Sequence, residues 1–178
     1  MAFEPTRLDR PLSRFELAVV VSLIGIFITI FIYKILFLTV AAEAQSLELT
    51  INRMRARLMI YSAVQLIQHN YENIGKLIDS NPVGIAVDPP KGYIGERVAP
   101  AVDEIQAGEW YYDSQTHLLV YNVVNSDYFA ATEAGPARVR LRFTLSYIDR
   151  NENGIYDKGI DLPQSISLRP VEHYEWRY

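Results

Sequence analysis

Between two strand-like runs the chain reads Asp149-Arg-Asn151-Glu-Asn153-Gly154-Ile155-Tyr-Asp157-Lys-Gly-Ile-Asp161. Counted from Asp149, oxygen-bearing side chains stand at positions 1, 3, 5 and 9, glycine at 6, and the carbonyl of Ile155 at 7. Hard oxygen ligands at alternate positions converge on a cation when a glycine permits the sharp turn between them, which is the chemistry of calcium loops. Helix-flanked loops of that kind place a bidentate glutamate at position 12; here Ile160 stands there and Asp161 follows at 13. The expected ligands are therefore Asp149, Asn151, Asn153, the carbonyl of Ile155, Asp157 and Asp161, with Ca2+ as a structural cofactor. The same residues also fit a polar hairpin turn, because Asn153-Gly154 is a strong turn signal. A second reactive group is notable for its isolation. Glu16 directly precedes the uncharged run Leu17–Tyr33, and an ionised carboxylate against hydrocarbon takes either a partner or a place at the wetted interface. The three histidines, His69, His117 and His173, have no paired spacing, and the chain has no nucleophile elbow, P-loop or GxGxxG. No enzymatic activity is expected.

These groups need elements to position them. Leu17–Ala42 is predominantly apolar, and Lys34 is its one charge; as a helix it would be about 39 Å long at 1.5 Å per residue, against a hydrocarbon core of about 30 Å. Lys34 lies near one end, where its ammonium can reach the interface while its stem stays in lipid. A membrane-spanning helix is the expectation, with a buried core helix as the bland alternative. A cleaved secretory signal, cut near Ala41, Ala42 or Ala44, is a further alternative. Arg7, Arg10 and Arg14 precede the run and Glu43 and Glu48 follow it, so the positive-inside rule puts the N-terminus in the cytoplasm and the bulk outside. The helix pattern continues: Leu47, Ile51, Met54, Leu58 and Tyr61 recur at spacings of four and three, with Gln65 and Gln68 in phase, to a stop near Asn70. This stripe predicts packing against the protein's own sheet.

The order of parts at the N-terminus carries a resemblance. Phe-Glu-Leu-Ala-Val-Val-Val-Ser-Leu-Ile-Gly-Ile (15–26), behind a short basic leader and ahead of a long apolar helix, resembles the N-terminal signature of type IV pilins, type II secretion pseudopilins and their minor relatives. Glu16 and Gly25 reproduce the family's nine-residue spacing. The resemblance implies a leader removed by prepilin peptidase, with Leu12 as the first mature residue and Pro11 before the cut. The family has Gly or Ala at that place, so a cleaved and a retained leader both stay open. It also implies that the Glu16 carboxylate pairs with the amine of a neighbouring subunit, and that other pilin or pseudopilin subunits are partners through the N-terminal helix. The implied location is the inner membrane, single pass, with a periplasmic head, before assembly into a filament. The chain lacks the mid-helix proline common in major pilins.

Residues 71–108 are punctuated by Gly and Pro, with Gly92–Val98 as an edge-strand candidate. Then come a hairpin, 109–112 and 117–124 around the turn 113–116, an alternating strand over 137–147, and shorter strands over 165–170 and 173–178. The expected fold class is α+β: a long N-terminal membrane-spanning helix continuing as an amphipathic helix packed on an antiparallel sheet, pilin-like in outline. The expected divisions are a leader (1–11), a membrane helix (12–42), its amphipathic continuation (43–70) and a globular head (71–178). The net charge is −4, from 17 Lys+Arg and 21 Asp+Glu; that balance is against a nucleic-acid surface. The absence of cysteine removes disulfides and thiol nucleophiles. The second reading from these features is a non-filament single-pass membrane protein with a periplasmic, calcium-stabilised binding domain.

Overall fold

The computed structural model describes residues 13–78, 80–132 and 135–177. The chain divides into two compact units, Met1–Thr39 and Val40–Tyr178, and helix α1 (Arg14–Ile67) contributes to both. The described part of the first unit, residues 13–39, is the polar first turn of α1 and the apolar portion that follows it. An 18-residue window there is apolar and wholly unburied, so α1 is long and apolar enough to cross a membrane. Its few hydroxyls bond back to the helix: Ser22 Oγ donates to the Ala18 carbonyl at 2.8 Å and Thr29 Oγ1 to the Gly25 carbonyl at 2.9 Å. That satisfies them where a lipid solvent supplies no partner.

In the second unit α1 lies on a five-stranded sheet. The strands are β1 (Tyr93–Arg97), β2 (Trp110–Asp113), β3 (Leu118–Asn122), β5 (Arg138–Ile148) and β6 (Leu162–Pro170), in the spatial order β1-β2-β3-β5-β6. A separate antiparallel pair joins β4 (Phe129–Ala131) to β7 (Tyr174–Trp176). The short helix α2 (Tyr71–Lys76) follows α1. Period-two alternation sends Trp110, Tyr112, Leu119, Tyr121, Val139, Leu141, Phe143, Ile166 and Leu168 to one sheet face, where Leu47, Ile51, Met54 and Leu58 of α1 complete the core. Two polar side chains of α1 finish the outer edge of β6: Arg55 Nε donates to the Leu168 carbonyl at 2.9 Å, and Ser62 Oγ accepts from the Ile166 N–H at 3.2 Å. An edge that would otherwise expose unpaired backbone groups is thereby covered.

The α+β class and the packing of the α1 stripe on the sheet agree with the expectation, and four details correct it. The sheet is mixed, not wholly antiparallel, because β1 pairs with β2 in parallel; the chain between them is about a dozen residues long, enough for a parallel crossover. Helix α1 ends at Ile67 rather than near Asn70. There the His69 N–H bonds the Leu66 carbonyl, the Asn70 N–H bonds the Gln65 carbonyl, and His69 takes φ +59°. That is a Schellman closure with histidine in the place glycine usually fills. Gln68 is exposed beyond the helix end, and Ser62 rather than another apolar residue continues the buried face. Finally, β6 starts three residues earlier than expected, at Leu162, and β4 had no sequence signal.

Candidate functional site

Among the described residues of the first unit the cations are Arg14 and Lys34, and the carboxylate is Glu16. Its Oε2 accepts from the Ser13 N–H at 2.7 Å, and its own N–H donates to Ser13 Oγ at 3.2 Å. Ser13-Arg-Phe-Glu16 is thus a capping box, in which the first turn of α1 satisfies its orphan donors reciprocally. The signal, serine three residues before glutamate at the start of an apolar run, stands in the sequence, and reading Glu16 only as a lone carboxylate missed it. Pro11 and Leu12 lie outside the described residues. Around Gly25 there is open space; a Cβ there would meet nothing within 4 Å. Among the described residues no packing calls for glycine at that position.

In the second unit α1 presents two opposite apolar faces. One is the core face already described. The other bears Leu49, Ala56, Ile60, Ala63 and Ile67, flanked by Met59 and Val64, all on the exposed side. Leu49 and Ile60 are each 57% exposed, Met59 74% and Ile67 79%. With Arg53 in the remaining place, the series 49, 53, 56, 60, 63, 67 alternates steps of four and three, the spacing of a seam that fits against another helix.

The strongest polar anchor of α1 is Glu43, which sequence reasoning passed over as a flanking charge. Its Oε1 accepts from the Tyr121 hydroxyl at 2.9 Å and the Val124 N–H at 2.7 Å, and its Oε2 accepts from Asn125. One turn further on, Glu48 Oε1 accepts from the Tyr174 hydroxyl at 2.7 Å. Desolvation, then the hydrogen bond to Glu43 and its charge, push the Tyr121 hydroxyl far above its ordinary value. Desolvation and then Glu48 do the same to Tyr174, against a smaller lowering by Arg55.

The 149–161 loop joins β5 to β6 and folds over its own aspartates. Asp149 Oδ2 accepts from the Gly154 N–H at 2.7 Å, with Gly154 at φ +78°, a turn that glycine makes freely. Asp161, 5% exposed, accepts from the Arg150 N–H at 2.9 Å and the Asp157 N–H at 2.7 Å. Asn151 Nδ2 and Asn153 Nδ2 both donate to Asp157 Oδ2 at 2.6 Å. The Tyr147 hydroxyl is pushed up, first by desolvation and then by the charges of Asp149, Asp161 and Asp157. The expected ligand residues thus share one loop, but the two asparagine amides face Asp157 as donors, and Ile155 is exposed. Among the described residues no three of His, Cys, Asp or Glu are grouped to hold one metal ion. One feature fits a cation: Asp149 Oδ1 is buried with no hydrogen-bond partner, and an unpaired carboxylate oxygen away from water is costly. The chain matches no family model, no curated protein and no solved structure.

Proposed function

We propose that this chain is a structural subunit, held in the inner membrane by the apolar part of α1 and assembled through that helix with other subunits into a filament, as a minor pilin or pseudopilin-like component. The carrying observation is the second apolar face of α1. A folded unit that leaves Leu49, Ile60 and Ile67 in water, in register at helix-seam spacing, has a surface suited to a neighbouring helix. Gly25, with open space around it, fits the same picture, since glycine lets a neighbouring helix approach closely. In this reading the N-terminus is cytoplasmic, the sheet-bearing unit periplasmic, and Pro11–Leu12 the junction offered to prepilin peptidase.

The test is a photo-crosslinking residue at Ile60 or Ala63 in the native host, with Gln115 as an exposed control off the helix. Discrete adducts from positions 60 and 63 that sediment with sheared filaments, and none from 115, support assembly through this face. Membrane-inserted protein that gives no adduct at either helix position sinks it.

The unpaired Asp149 Oδ1 favours a second reading of the loop. A calcium ion would be held by Asp149, Asn151, Asn153, Asp157, Asp161 and the Ile155 carbonyl once the asparagine amides turn their oxygens inward. The ion would supply positive charge that locks β5 to β6, in a filament subunit or in a single-pass protein that stays out of filaments.

A further inference from the structure

The sheet face turned away from α1 carries a second feature, on β5 and β6. Its cross-strand partners are Arg142 opposite Arg169, Thr144 opposite Ser167, and Ser146 opposite Ser165. Successive same-face residues are about 6.8 Å apart along a strand, so the three pairs form a flat polar strip about 14 Å long. The Thr144 and Ser167 hydroxyls bond each other at 2.8 Å. The next arginine along β5 is occupied: Arg140 Nε meets Glu172 Oε1 at 2.9 Å. Arg142 and Arg169 are both exposed, and among the described residues neither has a carboxylate partner. Like charges placed directly opposite on neighbouring strands repel. In a chain of net charge −4, acids to neutralise them are plentiful, and yet among the described residues none is paired with either arginine.

We propose that the Arg142–Arg169 pair and the hydroxyl pairs beyond it bind the acidic groups of a linear anionic polysaccharide. Two adjacent guanidinium forks match carboxylate or phosphate oxygens and relieve their mutual repulsion when an anion sits between them. Serine and threonine hydroxyls both donate and accept, as ring hydroxyls of a sugar chain require. The strip has no aromatic side chain among its six residues, so it offers nucleic-acid bases nothing to stack on. It has no large apolar side chain to enter a bilayer or to anchor a protein interface. The site is independent of the assembly face on α1.

The experiment uses the full chain in zwitterionic detergent, with polygalacturonate as the probe and neutral dextran as the control. Wild type binds polygalacturonate, more weakly as salt rises, and does not bind dextran. Arg169→Glu turns the like-charge pair into an opposite-charge pair; it raises Tm by about 2 °C while lowering affinity about tenfold or more. Arg142→Gln with Arg169→Gln loses the same affinity with an unchanged near-ultraviolet spectrum. Wild-type affinity in either variant overturns the proposal. So does equal binding of dextran, or displacement of polygalacturonate by a single-stranded oligonucleotide at lower charge concentration.

Discussion

Glu43 and Asn125, 82 positions apart, meet through two hydrogen bonds on one carboxylate oxygen: Oε2 accepts from the Asn125 N–H at 2.9 Å and from its Nδ2 at 2.6 Å. With Tyr121 and Val124 on the other oxygen, four donors converge on a group that only accepts. Glu43→Gln therefore cannot reproduce the arrangement, because its amide nitrogen would face donors. We expect Glu43→Gln to destabilise the protein nearly as much as Glu43→Ala, by about 2–3 kcal/mol, seen as a Tm drop of about 5–10 °C in near-ultraviolet circular dichroism. A Gln variant that melts with wild type would show the carboxylate charge to be dispensable.

The same anchors set the alkaline limit of stability. Tyr121 and Tyr174 have folded-state pKa values raised, first by desolvation and then by Glu43 and Glu48. A raised folded pKa means that the folded protein holds its proton more tightly than the unfolded chain. The stabilisation is fully present below the ordinary tyrosine value of about 10 and is lost as pH climbs above it. Stability should fall from about pH 10 upward, with a slope approaching about 1.4 kcal/mol per pH unit for each such tyrosine. Replacing both with Phe should flatten that slope, although it lowers stability at neutral pH by removing two hydrogen bonds. Denaturation midpoints measured from pH 8 to 11.5 would decide it; identical slopes would mean that these tyrosines do not control the transition.

Which features the sequence revealed follows from how local their causes are. The core stripe Leu47–Ile51–Met54–Leu58 and the alternation Val139–Leu141–Phe143 are periodic, and burial follows period. The Asp113–Thr116 turn is likewise local: Asp113 Oδ1 accepts from the Gln115 N–H at 3.0 Å and Oδ2 from Thr116 Oγ1 at 2.6 Å. The partners of Glu43 were hidden because they lie about eighty residues away, Tyr121 in β3 and Val124 and Asn125 in the loop after it. Strand β4, and with it the pairing to β7, was hidden because Phe129–Ala131 carries too few alternations to register. Parallel pairing of β1 depends on the path taken between strands, which a hydrophobic pattern does not record. At the loop, composition and spacing marked the residues, but which atom of each amide faces inward is decided by competition between Asp157 and a cation.

That competition is measurable. Opening the two amide contacts to Asp157 and supplying a cation to the unpaired Asp149 Oδ1 should be favourable if calcium binds. Calcium at about a hundred times its Kd would add about 2.7 kcal/mol of stability, a Tm rise of about 5–10 °C. Magnesium, which resists dehydration and demands a smaller octahedral site, should give far less. Asp149→Asn should abolish the calcium shift. No shift at millimolar calcium in wild type would leave the loop a hydrogen-bonded turn.

Ser13 and Glu16 allow capping to be separated from charge. Glutamine at the third helical position still serves a capping box, so Glu16→Gln keeps the bond from the Ser13 N–H and removes only the charge. Ser13→Ala does the reverse: it removes the acceptor for the Glu16 N–H, at a cost of about 1 kcal/mol to the first turn, and leaves the carboxylate ionised. If Glu16 recognises the amine of a neighbouring subunit, Glu16→Gln should remain in the membrane fraction but lose incorporation into sheared filaments about tenfold or more, while Ser13→Ala should assemble nearly as wild type. The opposite ranking, with Ser13→Ala excluded and Glu16→Gln incorporated, would assign the residue to helix capping alone. Quantifying both variants in membrane and filament fractions against wild type distinguishes the two, because the capping box and the charge depend on the same side chain through different atoms of chemistry: an acceptor that glutamine retains, and a negative charge that it lacks.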